Sequence, residues 1–237
     1  MKIIHIAGWS GSGKTTFIRE LVKGLSPLGK VGSIKHIGDH ICELPSGKDT
    51  TVHYEAGACI TAGIDQEKTM ITCQSVSLSD SLDFLADSGV RYAVVEGFKR
   101  VPFRKVVIGD LDVPAFMRNP SVDEVITLRD EFDDYYSLSG LFKEFGEEMT
   151  GDLLYSMTSW YENTDIVDAC MILETEIRNC PGVTGVRIRY NQAFLHEQGR
   201  LFVVVKVSDS ETGSSVLTRC AELLSGFPRK PVGRSIS

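Results

Sequence analysis

The chain has no C-x-x-C pair, no internal repeat, no surplus of positive charge and no apolar run near the ~18 residues that a membrane-spanning helix needs. Its six cysteines, Cys42, Cys59, Cys73, Cys170, Cys180 and Cys220, are scattered. That spacing argues against a disulfide framework and reads as mostly buried thiols in a reducing compartment. The apolar start is too short and too soon interrupted for a signal peptide, so a cytoplasmic protein with no membrane partner is expected. A formal net charge of −7 argues against a broad nucleic-acid surface and leaves room only for local basic pockets. What remains is an ordinary globular composition, 42% hydrophobic and 24% charged over 237 residues, enough for one large domain or a medium one with a smaller appendage.

The most informative stretch is Gly8-Trp9-Ser10-Gly11-Ser12-Gly13-Lys14-Thr15-Thr16, set between the apolar run Lys2 to Ala7 and the helical run Phe17 to Leu25. It fits the phosphate-loop pattern G-x-x-x-x-G-K-S/T in the strand-to-helix context that its mechanism requires. Gly8, Gly11 and Gly13 free the backbone to approach a ligand closely, so that successive N–H groups, those of Ser10 and Ser12 included, line an anion site at a helix start. Lys14 supplies a mobile charge for β- and γ-phosphates, the Thr15 hydroxyl can join a Mg²⁺ shell, and Thr16 is placed for the α-phosphate.

A short strand at Lys30 to Ile34 follows, which implies a parallel sheet with its ligand at the carboxyl ends of the strands. Lys35, Asp39 and Asp49 then fall at that edge. Asp49 or Thr50 could equally be the N-cap of a helix running through Val52, Ala56 and Ala58. Ala62 to Asp65 reads as a turn, Thr69 to Thr72 as a strand, and Ser79 to Ala86 as an amphipathic helix stopped by Gly89. Tyr92 to Glu96 is an apolar strand with a carboxylate at its carboxyl end, where a phosphate-loop nucleotidase uses an acid to hold Mg²⁺ or polarise water. Arg104 to Ile108 and Asp123 to Leu128 read as two more strands, and the acidic, aromatic stretch from Asp130 to Asp152 as a solvated helix face. Arg100, Arg104 and Arg118 are suited to anionic groups but receive no role from the pattern.

After this stretch the pattern changes. A helix over Asp165 to Arg178, strands at Val186 to Phe194 and Leu201 to Val207, a helix over Ser214 to Leu224 and an extra strand near Leu153 to Met157 make a small α+β unit. The expected fold class is therefore α/β: a P-loop NTPase parallel sheet flanked by helices over 1–148, with a smaller C-terminal α+β domain over 149–237.

The phosphate loop with Trp9 inside it, Lys35-His36, Asp39-His40, Gly47-Lys48-Asp49, Ala56-Gly57-Ala58 and Val95-Glu96-Gly97-Phe98-Lys99 closely resemble the molybdopterin-guanine dinucleotide biosynthesis protein B family, over roughly residues 1 to 140. The resemblance implies a dimeric, GTP-binding, weakly GTP-hydrolysing accessory protein that assists the guanylyltransferase attaching GMP to molybdopterin, with molybdopterin as a candidate ligand. It places Gly11 to Thr16 on the nucleotide phosphates, Thr15, Asp49 and Glu96 near Mg²⁺, and Lys14 and Glu96 in catalysis. No N-K-x-D guanine-reading motif is present, so GTP rests on the resemblance alone. From Val186 through Leu224 the chain more faintly resembles the large subunit of molybdopterin synthase. It departs at Ser208 to Glu211 and at Phe227 to Pro231, which points away from sulfur transfer and toward ligand or partner binding.

Two other readings use the same loop. A small-molecule kinase would need an acceptor-side base and an arginine-bearing lid, and no clear lid is visible. A metallochaperone-like GTPase would use His36, His40 and Cys42, a cluster of plausible zinc-ligand types that lacks an evident fourth ligand.

Overall fold

The computed structural model describes residues 1–38, 43–74, 76–145, 152–161, 166–194 and 198–225. In chain order the elements are β1 (Lys2–Ala7), α1 (Lys14–Leu25), β2 (Val31–Lys35), α2 (Asp49–Glu55), β3 (Ile60–Ile64), β4 (Thr69–Cys73), α3 (Leu78–Asp87), β5 (Tyr92–Glu96) and β6 (Lys105–Val107). There follow β7 (Met117–Arg118), α4 (Val122–Thr127), β8 (Asp133–Asp134), α5 (Leu138–Lys143), β9 (Leu153–Tyr161), α6 (Ile166–Arg178), β10 (Val183–Asn191), β11 (Gly199–Val207) and α7 (Ser210–Ser225).

The first sheet runs β2-β5-β1-β6-β7, all parallel, with β8 pairing antiparallel to the start of β1. Its central strands read as unbroken apolar runs because both faces are covered. Ile4 and Ile6 of β1 pack with Leu21 and Leu25 of α1 and Val125 of α4, whereas Ile3 faces the other way, onto Leu82 of α3 and Val101 and Phe103. Each such fully buried Ile or Leu stabilises the fold by about 1.5–3 kcal/mol relative to exposure. The register sets Glu96 opposite both Ile6 and Lys35, at the carboxyl edge that the phosphate loop leaves from.

Several expectations change. Asp123 to Leu128 is not a strand: the Ser121 hydroxyl accepts from the Glu124 N–H at 3.2 Å while a Glu124 carboxylate oxygen accepts from the Ser121 N–H at 2.7 Å. This reciprocal cap starts α4 despite its β-branched content. Ala62 to Ile64 belongs to β3, which pairs antiparallel with β4 in a separate hairpin. Helix α2 ends at Glu55, before Ala58, because Ala56 and Gly57 turn the chain. In the acidic stretch, Tyr135 is buried and only part is helical, so it is no simple solvated face. Cys220 is buried, but Cys59 and Cys73 are exposed on the hairpin.

The C-terminal elements form an antiparallel sheet of order β10-β11-β9, and α6 and α7 share an apolar cluster with one of its faces through Leu173, Ile177, Val203 and Val205. Phe202 and Val204, on the opposite face of β11, pack on Leu141 of α5. Two more ties join this unit to the first. Arg200 donates to both Asp83 carboxylate oxygens at 2.5 and 2.6 Å and also contacts the Tyr135 hydroxyl. Asn191 accepts from the Tyr136 N–H at 2.8 Å and donates to its carbonyl at 2.7 Å. The junction between 148 and 149 falls outside the described residues.

Candidate functional site

The loop leaving β1 is shaped by closeness on one side and openness on the other. A Cβ on Gly8 would stand 2.3 Å from the Ile108 carbonyl oxygen, so no side chain fits there. Gly11 and Gly13 adopt φ of +78° and +90°, and a Cβ on either would meet open space, so they are needed for conformation rather than room. Gly13 caps α1 in the left-handed region without a side-chain hydrogen bond, and no acidic residue sits in the first turn. The first N–H groups of this 12-residue helix therefore face an uncompensated positive dipole end. Ser10, Thr15 and Thr16 are exposed around it. The Lys14 ammonium folds back to donate to the Trp9 carbonyl at 2.5 Å. The Ser12 hydroxyl is buried with no partner among the described residues.

Two strand ends bring the other predicted groups in. Lys35 and Glu96 close β2 and β5, their charged atoms 3.9 Å apart, and the Glu96 side chain is largely buried while that of Lys35 is exposed. Directly after Glu96, Gly97 has φ of +93°, and a Cβ there would press within 2.7 Å of the His36 Cβ. Lys99 turns back over the Trp9 ring, 3.9 Å from its centre, tying the segment after β5 to the phosphate loop.

The sequence pattern did not single out His5. It lies fully buried in β1, and its Nε2–H donates to the Gly97 carbonyl at 2.6 Å while the Gly97 N–H donates to the Ile6 carbonyl at 3.1 Å. A carbonyl only accepts, so Nε2 carries the proton, and Nδ1 has no partner among the described residues. Burial pushes the imidazole down to about 4, against the upward pull of the Gly97 hydrogen bond, and keeps it neutral. His5 thus positions the turn after Glu96. A polar residue inside an apolar strand was the one available signal. A second unforeseen support is Asn119, at φ of 48°, whose side-chain amide accepts from the Gly109 N–H at 2.6 Å and donates to its carbonyl at 3.3 Å, holding the chain that backs the phosphate loop.

The remaining predicted groups do not converge in the same way. Asp49 is the exposed first residue of α2, whose N-cap is Lys48, and it makes no hydrogen bond or ion pair among the described residues. Asp39 lies outside the described residues, as do His40 and Cys42. His36 stacks on Phe98 with ring centres 4.6 Å apart. Among the described residues, no group of three or more His, Cys, Asp or Glu is arranged to hold a metal ion. A Mg²⁺ shared between a nucleotide, the Thr15 hydroxyl and one carboxylate needs no such group, and the exposed hydroxyl beside a helix start is the kind of donor it takes.

A family model for molybdopterin guanine dinucleotide synthesis protein B matches residues 3–127. A related protein of Methanocaldococcus jannaschii is 33% identical over 99 residues, 42% of each chain. The molybdopterin-guanine dinucleotide biosynthesis adapter protein of Escherichia coli is 31% identical over 112 residues, 45% of this chain and 64% of that one. The chain thus spans less than two thirds of the length of either relative. The crystal structure of Bacillus subtilis MobB superposes with a TM-score of 0.42 at 28% identity, covering 50% of this chain and 77% of that chain.

Proposed function

The chain belongs to the molybdopterin guanine dinucleotide synthesis protein B family, and from that premise we propose that it is a GTP-binding adapter that assists a guanylyltransferase in making molybdopterin guanine dinucleotide. The observation that carries this reading is the Gly8 to Thr16 loop, an unobstructed helix start placed beside Glu96 at the carboxyl edge of a parallel sheet. Guanine, rather than adenine, rests on the family alone. In this reading the protein works in the cytoplasm, and molybdopterin is a further ligand.

The roles follow from chemistry at each atom. Lys14 leaves the Trp9 carbonyl for the phosphates, exchanging a neutral acceptor for a charged one. The N–H groups from Gly11 to Thr16 orient the phosphate chain, and the hydroxyls of Thr15 and Thr16 flank it. Bound Mg²⁺ would neutralise charge on the β- and γ-phosphates, with Thr15, Glu96 and Asp49 as its candidate holders. Glu96, loosely paired with Lys35, is free to accept a proton-bearing water and hold it in line. A single carboxylate, Glu96, to hold the water suits slow hydrolysis.

The same proposal makes the protein a homodimer. The β3–β4 hairpin exposes Ile60, Ile64, Met70 and Ile71, with Ile64 at 78% of its full exposure, and a second copy of this apolar hairpin is the partner it fits.

Titration of the full chain with GTP and ATP in the presence of Mg²⁺ tests the proposal. Lys14→Ala should abolish triphosphate binding with unchanged thermal stability, because that side chain reaches ligand rather than core. Glu96→Gln should bind nucleotide and lose most hydrolysis. Undiminished affinity in Lys14→Ala would overturn the phosphate-loop assignment.

A further inference from the structure

A cavity of about 680 Å³ lies between the segment after β5 and the loop leading into β7. Lys99, Arg100, Arg104 and Lys105 line it, and among the described residues no aspartate or glutamate does. In a chain of net charge −7, four cations gathered on one surface focus positive potential and draw anions in. Their hydrogen-bond and ring partners are neutral, although the Asp133 carboxylate acts on Lys105 from outside the lining. Arg100 has none among the described residues. Lys99 meets the Trp9 ring, and Arg104 meets the Glu131 carbonyl at 2.5 Å and the Phe116 ring 5.2 Å away. Lys105 is buried against the Val101 and Phe103 carbonyls. Asp133 accepts the Arg104 backbone N–H at 2.6 Å, but it stands outside the lining. Beside the cations, Pro102, Pro114 and the exposed Phe116 form an apolar wall, with the Arg104 guanidinium over the Phe116 ring. The volume lies within the roughly 300–1,000 Å³ of small-molecule sites, and an apolar wall beside cations suits a ring that carries phosphate.

We infer that this cavity is a second anion site, taking a small phosphomonoester whose ring lies on the wall at Phe116 and whose phosphate meets Arg100 and Lys99. Lys99 reaches both this cavity and the Trp9 side of the phosphate loop, so the ligand sits next to the nucleotide. The inference deepens the proposed function, because the compound handed to a guanylyltransferase must present a phosphate to receive GMP. An acidic protein segment is the competing occupant, and the concave shape favours the small molecule.

The test uses the full chain with neopterin phosphate and unphosphorylated neopterin as fluorescent probes, with and without a non-hydrolysable GTP analogue. Neopterin phosphate should bind and neopterin should not, and Arg100→Glu should weaken the phosphate probe by at least about tenfold, the loss of one charged hydrogen-bonded pair, while GTP-analogue affinity stays unchanged. Equal binding of the two probes, or undiminished affinity in Arg100→Glu, overturns the inference. So does a result in which Arg100→Glu abolishes only guanylyltransferase binding. If the GTP analogue itself fails to bind, the nucleotide reading falls, while the titration without nucleotide still decides this one.

Discussion

His5 shows how a single buried side chain ties stability to the site. Its folded pKa of about 4 lies below the ordinary 6.5, so the unfolded chain binds more protons between those values. The stabilisation is fully present above pH 6.5 and is lost as pH falls toward 4, by up to about 3 kcal/mol at 1.36 kcal/mol per pH unit. Denaturant melts of wild type from pH 7.5 to pH 4.5 should show this decline, and His5→Leu should flatten it. A wild-type profile that matches His5→Leu would remove His5 from the account. The phosphate loop itself was legible because its residue types act locally, whereas the role of His5 depends on Gly97, 92 positions away in the chain.

At the scale of elements, the β3–β4 hairpin stands apart from both larger sheets and carries large apolar side chains into solvent. If a second copy covers it, Ile64→Lys should shift the protein from dimer to monomer in analytical ultracentrifugation, since a charge buried at an apolar contact costs several kcal/mol when unpaired. A dimer that persists unchanged would place the interface elsewhere. Helix α4 shows the opposite. Its Val, Ile and Thr suggested a strand, yet the Ser121 and Glu124 cap, present in the sequence all along, won because it satisfies end groups that a strand would not expose.

Across the whole molecule, the C-terminal sheet packs on the first unit: β11 buries Phe202 and Val204 on α5 while its other face meets α6 and α7. Arg200 is the polar centre of that junction, paired with Asp83 and ringed by Tyr135, Trp160 and Phe202. Arg200→Ala should destabilise the full chain by about 2 kcal/mol, less than a fully buried pair because the Asp83 side chain keeps 28% exposure. Two resolved unfolding transitions in the variant, against one in wild type, would show that this contact couples the units. An unchanged midpoint would show that apolar packing alone holds them.

Contiguous residues determined the Gly8 to Thr16 strand-to-helix loop, the buried parallel strands, the helix α1 after that loop and the existence of a second α+β unit. Glycine freedom, apolar periodicity and capping act within a few residues and need no distant partner. Only the tertiary structure decided that His5 holds the turn after Glu96, that α5 packs on the second sheet, and that Lys99, Arg100, Arg104 and Lys105 line one cavity without an acid among them. The first two outcomes join segments far apart in the chain, where packing density and the pairing of buried polar groups select partners that no local pattern encodes, and the third turns on how 99–105 folds against 113–116.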